Sequence, residues 1–545
     1  MQRLGAWVAL ASLHVFTLAA EPTLVFTVTV GDTLIGLSER VLVAPDAWRE
    51  VAALNRLARP NRLRPGQALQ IPLRLMRWTP ANATLVSVSG EVLVDGRAGV
   101  AQSTMTEGQT IETGPAGSAV VELADQSRIK LAPSSLVEVL ASRRHPTSNA
   151  ADSASSPSTG LFSGALRLLR GSVEVFATQV LRAKPLEVST PTAVVGVRGT
   201  QYRVNFDEAA NRSTRAGVIE GAVRFDLAKA AASGAAVAAG FGAAIDATAS
   251  APSVVKLLPA PDLASVPERF DRPLVRFALA SESQPVRIQV AADSAFDKIV
   301  LDQRVAPGTE VRLAGLDDAQ WYLRARRLDG LGIEGYDAVR PFVLKARPEP
   351  PAATQPRRAS KQTVGAVEFA WAQNLEASSQ RFQVARDAAF GDMVADRNAV
   401  PGTSVRIELL SPGAYFWRLA SIRADGDAGP FGDPLSFELR ATPEPPKGGM
   451  ASDGASLAFS WTGRPQDRQQ VELARDANFQ TLVASAELTS TEWVLPRPER
   501  GGDYFFRYRS VEPDGFVSAN SATLKTEVPK DWRPLWLLLP FLFGL

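Results

Sequence analysis

Hydrophobic residues recur along this chain mostly at the even spacing of strands, with helical spacing confined to its early part. The stretch Leu24–Val30 alternates as a strand does. Residues 48–54 place apolar side chains three and four positions apart, and a turn with N-cap side chains precedes Leu34. Ala68–Pro72 has the pattern of a short returning strand. The pattern therefore predicts a βααβ unit over residues 24–73.

Residues 80–227 contain many short β-patterned runs separated by turn residues, which predicts an all-β module. Charged and aliphatic residues alternate at Arg128–Leu131, so one face of that sheet is expected to be wet. A polar insert rich in Ser, Ala and Pro interrupts the module at 142–159. The Ala/Gly-rich segment 228–262 is predicted to be a linker, with closure of the preceding module as the alternative.

The remainder is a repeat. The aromatic-Arg strands Trp321–Arg324, Tyr415–Arg418 and Tyr504–Arg507 recur at offsets of 94 and 89 residues, as do the Ala-x-Asp-x-x-Phe turns before them. Strands at this density predict three small antiparallel β-sandwiches, with mainly buried aromatic residues. An exposed aromatic stripe that stacks on glycans is the alternative. The predicted repeats span 263–346, 352–441 and 447–528. The predicted fold class is mainly β and multidomain.

Both ends of the chain are apolar. Residues 1–20 have the short basic start, apolar run and small residues of a secretory signal peptide, or form an uncleaved anchor. The tail, 531–545, is too short to span a bilayer as a helix. Its Trp532 and Trp536 suit contact with a membrane interface or a partner's groove, and packing as an edge strand is the alternative.

Composition narrows the function classes. Lys and Arg total 59 against 57 Asp and Glu, a net charge of +2, which argues against a nucleic-acid partner. The chain has no cysteine and only His14 and His145, so Ser-His or Cys-His catalysis and a zinc site are not expected in the exported part. No cofactor motif is present. An exported protein without disulfides is typical of the bacterial envelope. Catalysis by carboxylates alone, as in a wall hydrolase, remains an alternative.

Residues 24–73 resemble the LysM family. The motifs Gly31–Leu34 (GDTL) and Leu63–Gln67 (LRPGQ), with Trp48, carry the resemblance. It implies binding of N-acetylglucosamine-containing glycans such as peptidoglycan, in a groove between the first strand–helix loop and the helix–strand loop. The implied glycan-binding residues are Gly31, Asp32, Thr33, Leu34, Asn61, Arg62 and Leu63. Alternatively, Asp32, Thr33 and Asn55 only cap helices and fix turns.

Residues 80–227 resemble the FecR family of periplasmic domains, through residues 190–200 (TPTAVVGVRGT) and 123–127 (LADQS). One departure is Gln126, where the family usually has Gly, the residue that tolerates positive φ. Arg198 is a candidate partner contact for an anion, or else an arginine buried by hydrogen bonds to strand ends. The three repeats loosely resemble fibronectin type III modules.

Together these features predict a non-enzymatic, peptidoglycan-binding scaffold or sensor in the periplasm or cell envelope of a bacterium. One alternative is a signalling accessory that relays an envelope cue to an inner-membrane protein. A carboxylate-dependent wall hydrolase is another.

Overall fold

The computed structural model describes residues 21–146, 160–197, 199–279, 282–409 and 411–530. The predicted signal peptide, most of the polar insert, Arg198 and the apolar tail lie outside these residues. The structure is 51% strand and 4% helix, which confirms the mainly-β, multidomain fold class. The chain forms two compact units, Met1–Leu344 and Lys345–Leu545.

The first part of unit 1 is the predicted βααβ unit. Its two strands pair antiparallel, with Leu24 opposite Ile71, and both side chains are buried. Phe26 and Leu37 extend this core between the sheet and the helices. The elements are β1 Thr23–Thr27, α1 Leu34–Val41, α2 Trp48–Leu54 and β2 Ala68–Pro72.

No spacer separates this unit from the next module. A short 3₁₀ helix, Leu73–Leu75, follows β2 directly, and the backbone N–H of Val43 donates to Leu75 O at 2.8 Å. Leu161 and Ala183 of the next module pack against the core of the βααβ unit. The Arg143 guanidinium lies over the Trp78 ring at 4.1 Å. The two modules therefore share apolar contacts.

The central β module, residues 79–256, contains eighteen strands in its described part, and they form two sheets that share the long strand β12. Its apolar core includes Tyr202, Val204 and Phe225. The strands are β3 Thr79–Pro80, β4 Ala83–Ser89, β5 Val92–Val94, β6 Arg97–Ala98, β7 Ser103–Met105, β8 Thr110–Thr113, β9 Ser118–Glu122, β10 Arg128–Leu131, β11 Leu136–His145, β12 Leu161–Phe176, β13 Leu186–Ser189, β14 Ala193–Val197, β15 Gln201–Asp207, β16 Ser213–Glu220, β17 Ala222–Leu227, β18 Ala230–Ala238, β19 Phe241–Ile245 and β20 Ser253–Lys256.

The long strand β12 turns a corner at Gly171. Before the corner it pairs with β11, and after it with β10 and β15. Gly171 has a φ of 88°, and a Cβ there would lie 2.6 Å from the Cα of Ser135. Only glycine allows this close approach. The Ser135 hydroxyl fixes the corner by accepting from Ser172 N at 3.0 Å.

Two expectations about this module are corrected. Residues 228–262 are not a linker, because β18, β19 and β20 lie there and pair with β17, β16 and one another. This is the alternative in which the segment closes the module. The polar insert also begins later than 142, since β11 continues to His145. The Ala/Gly-rich composition fits either a linker or a strand, and pairing with β16 and β17 makes this segment part of the module.

Gln126 adopts the left-handed conformation that its position in the motif demands, with a φ of 66°. The turn is held by Asp125, whose carboxylate accepts from Ser127 N at 3.0 Å and from Arg182 Nε at 2.6 Å. Asp125 and Arg182 are both buried. The turn is thus retained without glycine, at a cost of about 1–2 kcal/mol for the left-handed residue.

Each repeat consists of two small sheets facing each other, as predicted for a β-sandwich. The strands of repeat 1 are β21 Arg269–Phe270, β22 Val275–Phe277, β23 Val286–Ala291, β24 Ile299–Val305, β25 Val311–Leu313, β26 Ala319–Arg327 and β27 Ala338–Leu344. Those of repeat 2 are β28 Ala353–Gln355, β29 Ser360–Thr363, β30 Gly365–Trp371, β31 Ser379–Ala385, β32 Met393–Val400, β33 Ser404–Leu409, β34 Gly413–Ile422, β35 Ala428–Phe431 and β36 Leu435–Arg440. Those of repeat 3 are β37 Lys447–Met450, β38 Ser456–Ser460, β39 Arg468–Ala474, β40 Leu482–Leu488, β41 Glu492–Pro496, β42 Gly502–Val511 and β43 Leu524–Val528.

The alternating aromatic residues of β42 face the core. Tyr504, Phe506 and Tyr508 are all buried, and the rings of Phe459 and Phe506 stack with centroids 4.1 Å apart. In repeat 2, Trp417 is enclosed by rings that include Phe369, at 5.2 Å. The prediction of buried aromatics is confirmed for these residues, and they leave no exposed stripe for glycan stacking.

A buried ionic cluster joins the central β module to repeat 1. Glu174, on β12, accepts from Arg324 Nη1 of repeat 1 at 3.1 Å and from Arg326 Nη2 at 3.4 Å. Arg203 of the central module reaches in the opposite direction and donates to Asp337 at 2.9 Å. Arg326 also donates to Glu334 at 2.6 Å. All but the half-buried Asp337 are buried, so their charges are paired across the seam rather than solvated.

The charges around Glu174 and Glu334 show which protonation state of these carboxyl groups the cluster stabilises. Burial alone would raise the pKa of Glu174, but the charges of Arg326, Arg324 and Arg203 outweigh it and hold the pKa well below its usual range. The pKa of Glu334 is lowered in the same way, chiefly by Arg287 and Arg326 against burial. Both carboxyls are therefore ionised in the folded protein, and each depends on its arginines.

Replacing Glu174 tests this dependence. Glu174→Ala leaves three buried guanidinium groups without their shared carboxylate, so the free energy of unfolding of unit 1 should fall by about 3–5 kcal/mol. Glu112 is a matched control, because its pair with Arg170 at 2.7 Å is about half exposed. Glu112→Ala should cost less than about 1 kcal/mol. Calorimetric melting of the full chain measures both, and equal losses would contradict the role of the cluster.

The lowered pKa of Glu174 also predicts an acid dependence. A carboxyl with a lowered folded pKa stabilises the fold above its unfolded pKa of about 4.3 and loses that contribution as the pH falls further. The melting temperature of unit 1 should therefore drop below about pH 4.5 in the wild type, and less steeply in Glu174→Gln. Parallel pH profiles for the two proteins would show that Glu174 contributes nothing.

Candidate functional site

The first predicted glycan loop, Gly31–Leu34, is shaped by a turn and a helix cap. Gly31 has a φ of 90° and open space where a side chain would be. The Thr33 hydroxyl caps α1 by accepting from Gly36 N at 3.0 Å. Leu34 is buried in the core of the unit. Of these residues, Gly31 and Thr33 are exposed at the surface.

Asp32 is turned inwards. Its carboxylate accepts from Thr29 N at 2.7 Å and from Thr29 Oγ1 at 2.8 Å, and pairs with Arg40. Burial would raise the pKa of Asp32, but the bonds from Thr29 and the charge of Arg40 lower it overall. Only 4% of the side chain is exposed. Asp32 therefore organises the loop and does not present its carboxylate to a ligand.

The second predicted loop lies at the same end of the unit. Asn61 and Arg62 are exposed, and Leu63 is half-buried against the core. The loop continues into a turn whose Gly66 N donates to Val28 O at 2.8 Å, while Val28 N donates to Gln67 O at 2.9 Å. Val28 lies three residues before the first loop and Gly66 three residues after Leu63, so these bonds bring the two loops to the same end of the unit.

Two exposed apolar residues flank the first loop and are missing from the predicted set. Val30 is 87% exposed and Ile35 is 54% exposed. The alternating pattern assigns Val30 to the buried face, but β1 ends at Thr27, so the alternation does not reach it. The turn residues Thr29–Asp32 could have indicated the exposure of Val30, because a turn interrupts the strand there. Apolar side chains beside polar ones suit a sugar ring, which has hydroxyl edges and an apolar face.

Asn55 has a structural role. Its Nδ2 donates to Val51 O at 2.8 Å and to Gln70 O at 2.7 Å, and its Oδ1 accepts from Gln70 N at 2.7 Å. These bonds close α2 and fix it to β2. The amide is thus fully used within the fold, as the helix-capping alternative requires.

The other predicted contact residues, Arg198, Trp532 and Trp536, lie outside the described residues. The outer face of the central module has a groove of about 520 Å³. Its floor includes Val194, Gly196 and Ala236.

Two further observations concern metal binding and membrane-spanning helices. Within the described ranges, no group of three or more His, Cys, Asp or Glu side chains is arranged to hold a metal ion. None of the helices found there is long and apolar enough to cross a membrane.

Comparison with protein families identifies two matches. The LysM domain model matches residues 26–72, and the FecR protein model matches residues 109–224. The resemblances to LysM and FecR are thereby confirmed. LysM and FecR domains are typical of bacterial envelope proteins and serve in binding and signalling. No curated protein matches the chain.

Solved structures give similarities of low score. A putative anti-sigma factor from Parabacteroides distasonis is 16% identical, with 27% of this chain and 59% of that chain covered and a TM-score of 0.20. This chain thus spans less than two thirds of that structure. The fibronectin(III)-like modules of Clostridium thermocellum CbhA are 11% identical, covering 32% and 93%, with a TM-score of 0.21. The FN1-FN3 domains of chicken CNTN1 are 14% identical, covering 48% and 96%, also at 0.21.

Proposed function

We propose that this protein is a non-enzymatic scaffold or sensor of the bacterial envelope, exported to the periplasm and held on peptidoglycan by its LysM domain. The observation that carries the proposal is the LysM match over residues 26–72, with two loops at the same end of the domain.

The surface of these loops suits an amino-sugar chain. Asn61 and Arg62 offer exposed hydrogen-bond donors and an acceptor for acetamido and hydroxyl groups. Val30 and Ile35 offer exposed apolar contact for the face of a sugar ring. Asp32 supports this surface from beneath, through its bonds to Thr29 and Arg40.

The remaining modules present surfaces to partners. The LysM domain packs on the central β module, and that module is joined to repeat 1 by the cluster around Glu174. A protein held on the wall through its first domain thus carries the other two in a fixed relation to it. We assign no catalytic residue, and the buried acids Glu174 and Glu334 are paired with arginines.

Exposed loop residues provide the sharpest test of wall binding. The double variant Asn61→Ala, Arg62→Ala removes several hydrogen bonds to the glycan without touching the core. Its affinity for purified peptidoglycan sacculi should fall about tenfold, the equivalent of one or two net hydrogen bonds. Co-sedimentation of the full chain with sacculi measures this, and chitin oligosaccharides in calorimetry test the same site in solution.

Arg49→Ala is the matched control, because Arg49 is exposed on α2, outside both loops. It should bind as the wild type does. Deleting residues 24–73 is a less clean experiment, since Leu161 and Ala183 would lose the core against which they pack. Unchanged retention of the double variant would remove the basis for wall anchoring through these loops.

The FecR match favours a second candidate, a signalling accessory that passes an envelope cue to an inner-membrane protein. The contacts proposed for it are Arg198 and the tail residues Trp532 and Trp536. A photo-crosslinking residue at position 194, in the groove of the central module, should then capture an inner-membrane protein in cells. Ending the chain after Pro529 should abolish that capture, and its persistence would exclude the tail from the contact.

A further inference from the structure

Repeats 1 and 2 contain one polar network in near-identical form. In repeat 1, Arg287 Nε donates to Asp302 at 2.8 Å and Gln289 Nε2 donates to the same carboxylate at 2.9 Å. Arg324 Nε then donates to Gln289 Oε1 at 3.1 Å, and its guanidinium lies 4.3 Å from the centroid of the Phe296 ring. This surface of the sheet is the one that meets the central β module.

Repeat 2 reproduces the network bond for bond at an offset of 94 residues. Arg381 Nε donates to Asp396 at 3.1 Å, and Gln383 Nε2 donates to Asp396 at 3.0 Å. Arg418 Nε donates to Gln383 Oε1 at 2.8 Å, and its guanidinium lies 3.8 Å from the centroid of Phe390. We call the set Arg381, Gln383, Asp396 and Arg418 the arginine face.

The repeats differ in the carboxylate that pairs with the arginine of the aromatic-Arg strand. Arg324 of repeat 1 pairs with Glu174 of the central module at 3.1 Å. Arg507 of repeat 3 pairs with Glu472, which replaces the glutamine in its own repeat, at 2.7 Å. Among the described residues, no carboxylate lies within 4.0 Å of Arg418. The last arginine thus has a carboxylate partner in repeats 1 and 3, whereas in repeat 2 it has none among the described residues.

Arg418 is also prepared for an anion. Phe431 lies on its other side, with 4.2 Å between the guanidinium and the ring centroid, so two aromatic rings fix its position. Burial and then the charge of Arg381 lower the pKa of Arg418, and an added carboxylate would oppose both effects. Arg381 and Asp396 are 40% and 33% exposed, whereas their counterparts in repeat 1 are buried beneath the central module.

The rim of the face shows the same contrast. Ile299, at the start of the edge strand β24, is buried, and its N–H donates to Ser118 of the central module at 2.8 Å. Its counterpart in repeat 2 is Met393, which starts the edge strand β32 and is exposed together with Val394. Both the ionic centre and the apolar rim of a docking surface are thus unoccupied by the described part of this chain.

We propose that the arginine face of repeat 2 binds a β strand of a partner protein that presents a carboxylate to Arg418 as Glu174 does to Arg324. The interface in repeat 1 defines the chemistry of that strand. Glu174 lies two residues after Ser172, whose hydroxyl accepts from Arg287 Nη1 at 3.1 Å. Residues two apart share one face of a strand. The partner strand therefore carries Ser or Thr, any residue, then Glu on its exposed face.

A designed hairpin peptide serves as the probe. It is cyclised by a disulfide and displays Ser-Val-Glu on one strand, and a second hairpin carries Gln in place of Glu. Calorimetric titration of the full chain should show binding of the Glu hairpin, weakened roughly tenfold or more by Arg418→Ala or by the Gln hairpin, because a charge-assisted bond is lost. Arg418→Lys should bind with intermediate affinity, since lysine keeps the charge but lacks the planar fork.

Arg406→Ala is the matched control, an exposed arginine on β33 in the opposite sheet of the same repeat, and should bind as the wild type does. Melting temperatures identify any variant that fails to fold, and Arg418→Lys then decides the result. Equal binding to wild type and Arg418→Lys, or no difference between the Glu and Gln hairpins, would overturn the proposal. So would binding of a peptidoglycan stem peptide, with its free carboxylates, in place of either hairpin.

Discussion

The carboxylate of Glu174 is the contact on which unit 1 depends. It lies in a buried seam, where Arg203 from one module and Arg324 and Arg326 from the next converge on it. A buried charge of either sign is unfavourable without its partner, so neither module can present this surface alone at low cost. Repeat 1 is consequently an integral part of the first compact unit, which ends at Leu344. It is therefore no spacer.

The same aromatic-Arg strand serves differently in each sandwich. Its aromatic positions face the core in all three, as Trp321, Tyr415 and Tyr504 show. Its arginine faces outward, and its role is set by what lies opposite: a neighbouring module in repeat 1 and a glutamate on the adjacent strand in repeat 3. A duplicated sandwich can thus become a docking partner or a self-contained unit through one charged side chain.

Local patterns predicted local structure well. The βααβ unit, with its strand at Ala68–Pro72, follows from periodicity and turn residues, and the structure has that strand at the same bounds. The alternation of Tyr504, Phe506 and Tyr508 along their strand likewise predicted that these aromatic residues are buried. Both depend on neighbours close in sequence, or on a motif that recurs.

Contacts that leave no periodic pattern in the sequence could not be predicted in this way. The segment 230–256 has the composition of a linker, and only its pairing with β16 and β17 makes it part of the sheet. Asp32 looks like a ligand contact in sequence, but its carboxylate points to Thr29 and Arg40. The ion pairs between the two modules also leave no periodic pattern in the sequence. Arg324, for example, lies 150 residues from Glu174.

The direct junction between the first domain and the central module has a mechanical consequence. Only Met76–Trp78 separate the 3₁₀ helix from the first strand of the next module, and Arg143 covers Trp78. A force on the first domain would load packed side chains and ladder hydrogen bonds immediately, with no slack chain to straighten first. Under the wall attachment proposed above, tension in the glycan would therefore reach the interior of the β module directly.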